Sequence, residues 1–253
     1  SCMKQLGINE MNPGLPKQIC IIGAGYVGMS YAVLISSFAD IKIWDIDSKK
    51  RDLINAKKLP IQDLDSESIL SEKENWNIVA SKNLNEALNK SQLVLICIST
   101  DFNESKNSFD VNEMNNLIDQ VGKYSPNVQI VIKSTVPIGY SAKITQETGL
   151  NILFSPEFLR EGSAVKDFLW PDRIIIGTTS DKAYEIMCDI YRPLYINKNP
   201  IKHTTVETAE MIKYASNSFL ALKISYINEI ANLCEAVGAD IHDVASAMGQ
   251  DGR

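Results

Sequence analysis

Residues 18–38 read QICIIGAGYVGMSYAVLISSF. A short β-rich apolar run meets a glycine turn, and apolar residues then recur at helical spacing, which predicts strand, turn and helix in immediate succession. Gly23, Gly25 and Gly28 form G-x-G-x-x-G across that junction. There the first glycine permits the tight turn, the second lets backbone approach a pyrophosphate, and the third lets helix and strand pack closely. The helix N-terminus behind the turn offers amides and the positive end of its dipole to an anion.

Working outward, IKIWDID (41–47) is strand-like and ends in acids, placing Asp45 about twenty residues beyond the glycines, where a dinucleotide site needs a carboxylate. An acid there accepts hydrogen bonds from both ribose hydroxyls and repels a 2′-phosphate, so NAD rather than NADP is the expected cofactor. WNIVA (76–80), LVLICIS (93–99), VQIVIKST (128–135) and NILFSPE (151–157) follow as further strands with helical segments between them. They are near-continuous apolar runs, as expected for strands covered on both faces. The expected fold is α/β, a Rossmann-type doubly wound, mostly parallel sheet. Ligands of such sheets bind at the carboxyl ends of strands, which makes Thr100, after the fourth run, a candidate cofactor contact.

From residue 204 the texture changes to TTVETAEMIKYASNSFLALKISYINEIANLCEAVGAD, with no proline and with glycine only near the end. One long helix is expected, with Thr204 and Glu207 as a capping box and Gly238 as the left-handed stop. Its apolar residues run almost all round, so it is expected to be buried between layers or subunits. Lys213 and Asn217, four apart, share one face, where an ammonium and an amide together can stabilise a developing oxyanion. The expected organisation is a loose lead over 1–16, a dinucleotide-binding domain over 17–203, and the long helix with the start of a helical dimerisation region over 204–253.

The 253 residues can bury a sizeable core, and the composition, 45% hydrophobic and 22% charged, is that of an ordinary globular protein. A net charge of −6 argues against a surface that tracks nucleic-acid phosphates. The five cysteines, Cys2, Cys20, Cys97, Cys188 and Cys234, are odd in number and lack metal-type spacing, as in a reduced cytoplasmic enzyme with no metal site. No apolar run reaches the roughly 20 residues of a membrane span, and no signal-peptide core is present. Met3 is the expected native start, with Ser1 and Cys2 added ahead of it.

Residues 155–177, SPEFLREGSAVKDFLWPDRIIIG, concentrate charge directly after a strand end. Together with GAGYVG, Asp45, KSTVPIG (133–139), EMIKYASNSFLALKISYINEIANLCE (210–235) and the closing DGR, they make the chain from Lys17 to Arg253 resemble the UDP-glucose/GDP-mannose dehydrogenase family. The FLREG form is most similar to its UDP-glucose 6-dehydrogenases. The resemblance implies NAD-dependent oxidation of UDP-glucose at C6 by two hydride transfers, through a thiohemiacetal and a thioester on a cysteine, giving UDP-glucuronate. It assigns Thr135 and Glu161 to positioning water and Glu157 to the acid and base steps. Lys213 and Asn217 would hold the C6 oxygen, and Phe158, Leu159 and Arg160 would lie along the nucleotide-sugar. Arg253 would reach the substrate of a partner subunit in a homodimer built on the long helix. Tyr26, Val27 and Lys50 would join the glycines and Asp45 around NAD, with Thr100, Thr135 and Glu161 also reaching it. Asp167, Asp172 and Arg173 read instead as scaffold returning the chain to the sheet.

Two departures from the family pattern stand out. Ser99 occupies a place where relatives usually carry proline, which weakens the case for Thr100. The family's catalytic cysteine follows the D-x-R arginine in a glycine-rich segment, so it is expected beyond residue 253, as is a UDP-binding domain. None of the five cysteines here sits where it could take that role, and this chain alone is expected not to complete the oxidation. The competing readings are a single-step oxidoreductase like the β-hydroxyacid dehydrogenases, which also carry a lysine and an asparagine four apart on a long helix, and a non-catalytic NAD-binding and dimerisation module.

Overall fold

A computed structural model of the chain describes residues 16–61, 77–103, 105, 108–158, 171, 173–191 and 201–250. The expected first unit is present: β1 (Gln18–Ile22) runs into the glycine turn and α1 (Tyr26–Ile35). Ile19 to Ile22 are fully buried because both faces of the strand are covered, which is why the run shows no alternation. There follow β2 (Asp40–Trp44), α2 (Ser48–Asn55), β3 (Ile78–Ala80), α3 (Leu84–Leu88), β4 (Leu93–Ile96), a small hairpin of β5 (Phe102–Asn103) and β6 (Ser108–Phe109), and α4 (Asn112–Tyr124). On α4 the buried Met114, Leu117, Ile118 and Val121 make the apolar stripe that a 3.6-residue period places on one face. β7 (Gln129–Ile132), α5 (Tyr140–Thr148), β8 (Asn151–Phe154), β9 (Ile174–Gly177), α6 (Asp181–Tyr191), β10 (Ile201–Thr204), α7 (Val206–Val237) and α8 (Ile241–Gly249) complete the order.

The sheet has eight strands in the order β10-β9-β8-β7-β4-β1-β2-β3. All neighbouring pairs in this sheet are parallel except β8 and β9, which meet antiparallel at Phe154 and Gly177, so β9 and β10 run against β1, β2, β3, β4, β7 and β8. From β1 the chain winds outward to β2 and β3, and from β4 it winds the other way to β7 and β8. That reversal puts the switch point between β1 and β4, the place where doubly wound sheets take their ligands at the carboxyl ends of the strands. β10 escaped the sequence reading because it is an edge strand of sequence IKHT whose residues are all at least partly exposed, and so carries no apolar run.

The capping box expected at Thr204 and Glu207 is not what starts α7. Thr204 still pairs with Gly177 in the β10–β9 ladder, so its backbone is extended. The cap falls one residue later, where the Thr205 hydroxyl accepts from the Thr208 backbone N–H at 3.3 Å. The stop is as expected: Gly238 has φ +75° and the Ala239 N–H bonds back to the Cys234 carbonyl at 2.9 Å.

The described residues form two compact units that divide between Glu210 and Met211. On α7, Met211, Phe219, Leu220, Leu222, Ile224, Tyr226, Leu233 and Val237 are more than half exposed in the single chain. No helix among the described residues is long and apolar enough to cross a membrane.

Candidate functional site

Each glycine of the motif meets a different surrounding. Gly23 takes φ +101°, a left-handed conformation, and a Cβ there would lie 2.5 Å from the Cys97 carbonyl oxygen, so the turn is pressed against the end of β4. Its N–H donates to the Trp44 carbonyl at 2.8 Å, tying the turn to β2. A Cβ on Gly28 would fall 1.9 Å from the Gly23 carbonyl oxygen, which makes this residue the contact between helix and turn. Gly25 alone of the three has nothing within 4 Å of its would-be Cβ, and as the N-cap of α1 it brings no side-chain cap. The open position leaves room for an anion at the positive end of the α1 dipole.

Asp45 follows β2 and is 8% exposed. One carboxylate oxygen accepts the Ala24 N–H of the glycine turn at 2.6 Å and the other the Asp47 N–H at 2.9 Å. The acid therefore shapes the turn and stands at its edge. The first turn of α2 brings the Lys50 ammonium within 3.8 Å of it. These residues fit an adenine dinucleotide: a turn with one open glycine, a helix start, and a carboxylate anchored at its edge.

A polar cluster gathers round Glu157 at the carboxyl ends of β7 and β8, and its other members carry no individual signal in the sequence. Lys133 is 3% exposed. Its ammonium pairs with the Glu157 carboxylate and donates to Tyr191 Oη at 2.9 Å and Ser155 Oγ at 3.2 Å. The Tyr31 hydroxyl from α1 donates to the same Glu157 oxygen and also meets Tyr191 Oη at 2.6 Å. Burial works against the Lys133 ammonium, but the Glu157 carboxylate and Tyr191 outweigh it and hold its pKa above the usual lysine value. Burial and then the Glu157 charge push the Tyr31 hydroxyl well up, so it stays a donor.

The loops at this edge are laced by hydroxyls. Thr100 donates to the Thr135 carbonyl at 2.6 Å, and Ser134 donates to the Ile98 carbonyl at 2.7 Å. Thr100 and Thr135, both expected at the cofactor, are thus brought together, with the Thr100 hydroxyl engaged on backbone. Just beyond, Glu210 is fully buried and accepts from the Gly139 N–H at 2.6 Å and the Ser141 N–H at 2.9 Å. It caps α5, whose own N-cap is Gly139 and whose first turn holds no acid. Replacing Glu210 by Ala is expected to lower stability by about 1–3 kcal/mol through those two stranded amides. Urea unfolding checks this, and a change below about 0.5 kcal/mol would contradict the cap.

Lys213 and Asn217 lie on α7 in the second unit, four residues apart on one helical face. Phe158 is described, with the Arg173 guanidinium 4.1 Å from its ring centroid, so Arg173 braces the start of FLREG. Leu159, Arg160, Glu161 and Arg253, with Asp167 and Asp172, lie outside the described residues. Tyr26 and Val27 open α1 beside Gly25. Among the described residues no group of His, Cys, Asp or Glu is arranged to hold a metal ion.

Cys20 and Cys97 are buried, and burial raises both thiols, Cys20 to about 12 and Cys97 further still, leaving them protonated and poor nucleophiles. A folded-state pKa raised above the unfolded one gives stability that is complete below the unfolded pKa and lost as pH climbs toward the folded value. Cys20 therefore contributes fully below about pH 9 and progressively less up to about pH 12. Stability is expected to fall above pH 9 by about 1.4 kcal/mol per pH unit for each such thiol. A Cys20→Ala variant should show a shallower decline in urea titrations at pH 8 to 10.5; an unchanged slope would contradict the assignment.

Comparison with known proteins identifies what carries this geometry. The profile of the UDP-glucose/GDP-mannose dehydrogenase family, NAD binding domain, matches residues 17–195, and that of the family's central domain matches residues 207–253. The chain belongs to the UDP-glucose/GDP-mannose dehydrogenase family. Its first 179 matched positions are the family's NAD-binding domain, which agrees with the open Gly25 and the placement of Asp45. The UDP-glucose 6-dehydrogenase of Rhizobium meliloti is 37% identical over 248 residues, covering 93% of this chain and 57% of that protein. The enzyme of that name from Rickettsia bellii is 38% identical over 243 residues, covering 93% and 56%. Among solved structures, a UDP-glucose dehydrogenase from Pyrobaculum islandicum superposes with a TM-score of 0.84 at 30% identity over 93% of this chain and 57% of that one. A ternary complex of GDP-mannose dehydrogenase from Pseudomonas aeruginosa gives a TM-score of 0.83 at 30% identity, covering the same shares. The chain spans little more than half the length of these family members.

Proposed function

We propose that the chain is the NAD-binding and central portion of a UDP-glucose 6-dehydrogenase, an oxidoreductase that takes UDP-glucose to UDP-glucuronate in two successive hydride transfers. What supports this reading most is the Glu157 carboxylate held at the same carboxyl edge of the sheet as the Gly25–Asp45 site, in a chain of this family. NAD, when bound, accepts the hydrides. The chain's own residues bind and orient: Gly23 and Gly28 shape the turn so that Gly25 and the start of α1 take the pyrophosphate, Asp45 takes the ribose, and Lys50 lies beside that acid. Glu157 assists proton movement at the sugar, Thr135 and Glu161 orient water, and Lys213 with Asn217 stabilise charge building on the C6 oxygen. Phe158, Leu159 and Arg160 line the nucleotide-sugar, and Arg253 reaches across to a partner subunit. The cysteine on which the two-step route depends is proposed to lie outside these 253 residues.

The test is the stoichiometry of the full-length gene product with UDP-glucose and NAD. Two NADH per sugar support the reading, whereas one NADH from a small hydroxyacid would replace it with a single-step oxidoreductase. The exposed apolar residues of α7 support a homodimer, in a cytoplasmic setting that the scattered free cysteines suit. Sedimentation should give a dimer, and the pair Leu222→Glu and Tyr226→Glu should give monomers; a monomeric wild-type chain would sink this part.

A further inference from the structure

Lys133 is a buried charge that the proposed chemistry does not use. Lysine is almost never fully buried unless paired, and a well-packed apolar residue of similar volume is often neutral or better for stability than a buried ion pair. Lys133 is nonetheless held from several sides: Glu157 and Ser155 follow β8, Tyr191 ends α6, and Tyr31 of α1 places its ring centroid 4.6 Å from the ammonium. The Lys133 ammonium and the Tyr31 hydroxyl both bind Oε1 of Glu157, so the carboxylate is gripped at one oxygen from two directions. Tyr191 ties those two donors to each other through bonds of 2.9 and 2.6 Å. Lys133, Ser155, Tyr31 and Tyr191 are all below 5% exposure, while Glu157 alone of the five is half-buried. Whatever the cluster does to a ligand therefore passes through Glu157.

We propose that Lys133, braced by Tyr31 and Tyr191, is a positioning residue that sets the place and orientation of the Glu157 carboxylate without touching substrate itself. This rests on the reading that Glu157 serves the oxidation, and two measurements keep the claims apart. In the 253-residue chain labelled with 15N-lysine, the triply bonded ammonium should exchange slowly enough to give a resolved NMR signal near neutral pH. Lys133→Met should delete that signal and Glu157→Gln should move or abolish it. No such signal, or one indifferent to Glu157→Gln, overturns the pair. In the full-length gene product, Tyr31→Phe removes one hydroxyl and leaves the ring, so the fold should stand. It should lower kcat about tenfold or more, as expected for a misplaced group, with KM for NAD within about threefold. A kcat within about twofold of wild type overturns the positioning role. An inactive wild-type full-length protein with the ammonium signal intact would instead remove the functional reading, and the positioning role with it, and leave the pair standing.

Discussion

Glu157→Gln is expected to destabilise the chain by about 3–5 kcal/mol, the usual cost of removing one partner of a buried ion pair. The size follows from the depth of the partner: the Lys133 side chain has no exposed surface and Glu157 retains 13%. Glutamine keeps the shape and an acceptor for Tyr31 but leaves a buried ammonium without a counter-charge. The double variant Glu157→Gln with Lys133→Met removes both charges and should recover most of the loss, since Tyr31, Tyr191 and Ser155 still satisfy one another. Urea unfolding of the two single variants and the double variant forms the cycle that isolates the pair. A single variant costing less than about 1 kcal/mol, or a double no more stable than Glu157→Gln, would show that the pair is not the source of the stability. Because Glu157 variants are expected to unfold more readily, their lost turnover in a full-length protein has to be separated from lost folding before it is read as chemistry.

Gly25→Ala and Gly28→Ala are expected to fail in opposite ways. At Gly28 the added Cβ would stand 1.9 Å from the Gly23 carbonyl oxygen, a backbone atom that cannot rotate aside as a side chain would. Helix and turn must separate, and the expected cost is about 3 kcal/mol or more. At Gly25 the φ of −85° suits alanine and the space is open, so the fold should lose at most about 1 kcal/mol. The methyl group would instead occupy the approach to the helix N-terminus, and NAD affinity should fall about hundredfold, roughly 2.7 kcal/mol of binding. Calorimetry with NAD beside urea unfolding separates the two. NAD binding by Gly25→Ala at wild-type strength would mean that the pyrophosphate does not come to this glycine.

Much of the fold was legible because its determinants are local. The β1–turn–α1 unit, the apolar strands and the 32-residue α7 each follow from neighbours a few positions apart: a glycine that must take positive φ, a run covered on both faces, a 3.6-residue repeat. The Thr204 cap misled by one residue, since whether Thr204 ends a strand or starts a helix depends on its pairing with Gly177, twenty-seven positions earlier. The reversed direction of β9 and the edge strand β10 were hidden for a related reason. Strand direction is a property of the sheet, and an edge strand half open to solvent carries little apolar pattern.

The carboxylates divide along the same line. Asp45 was recognisable because a dinucleotide turn sets its distance along the chain, and its bond to the Ala24 N–H spans only 21 positions. The grip on Glu157 comes from Tyr31, 126 positions away, and Lys133 looked like the tail of an apolar strand. By itself the sequence determined the strand–glycine–helix unit, the acid behind it and the long helix, because backbone conformation and amphipathic period are set by near neighbours. Only the tertiary structure decided which charges are buried and against what, with Lys133 on Glu157 and Glu210 over the start of α5, because desolvation and pairing depend on groups that the chain brings together from distant positions.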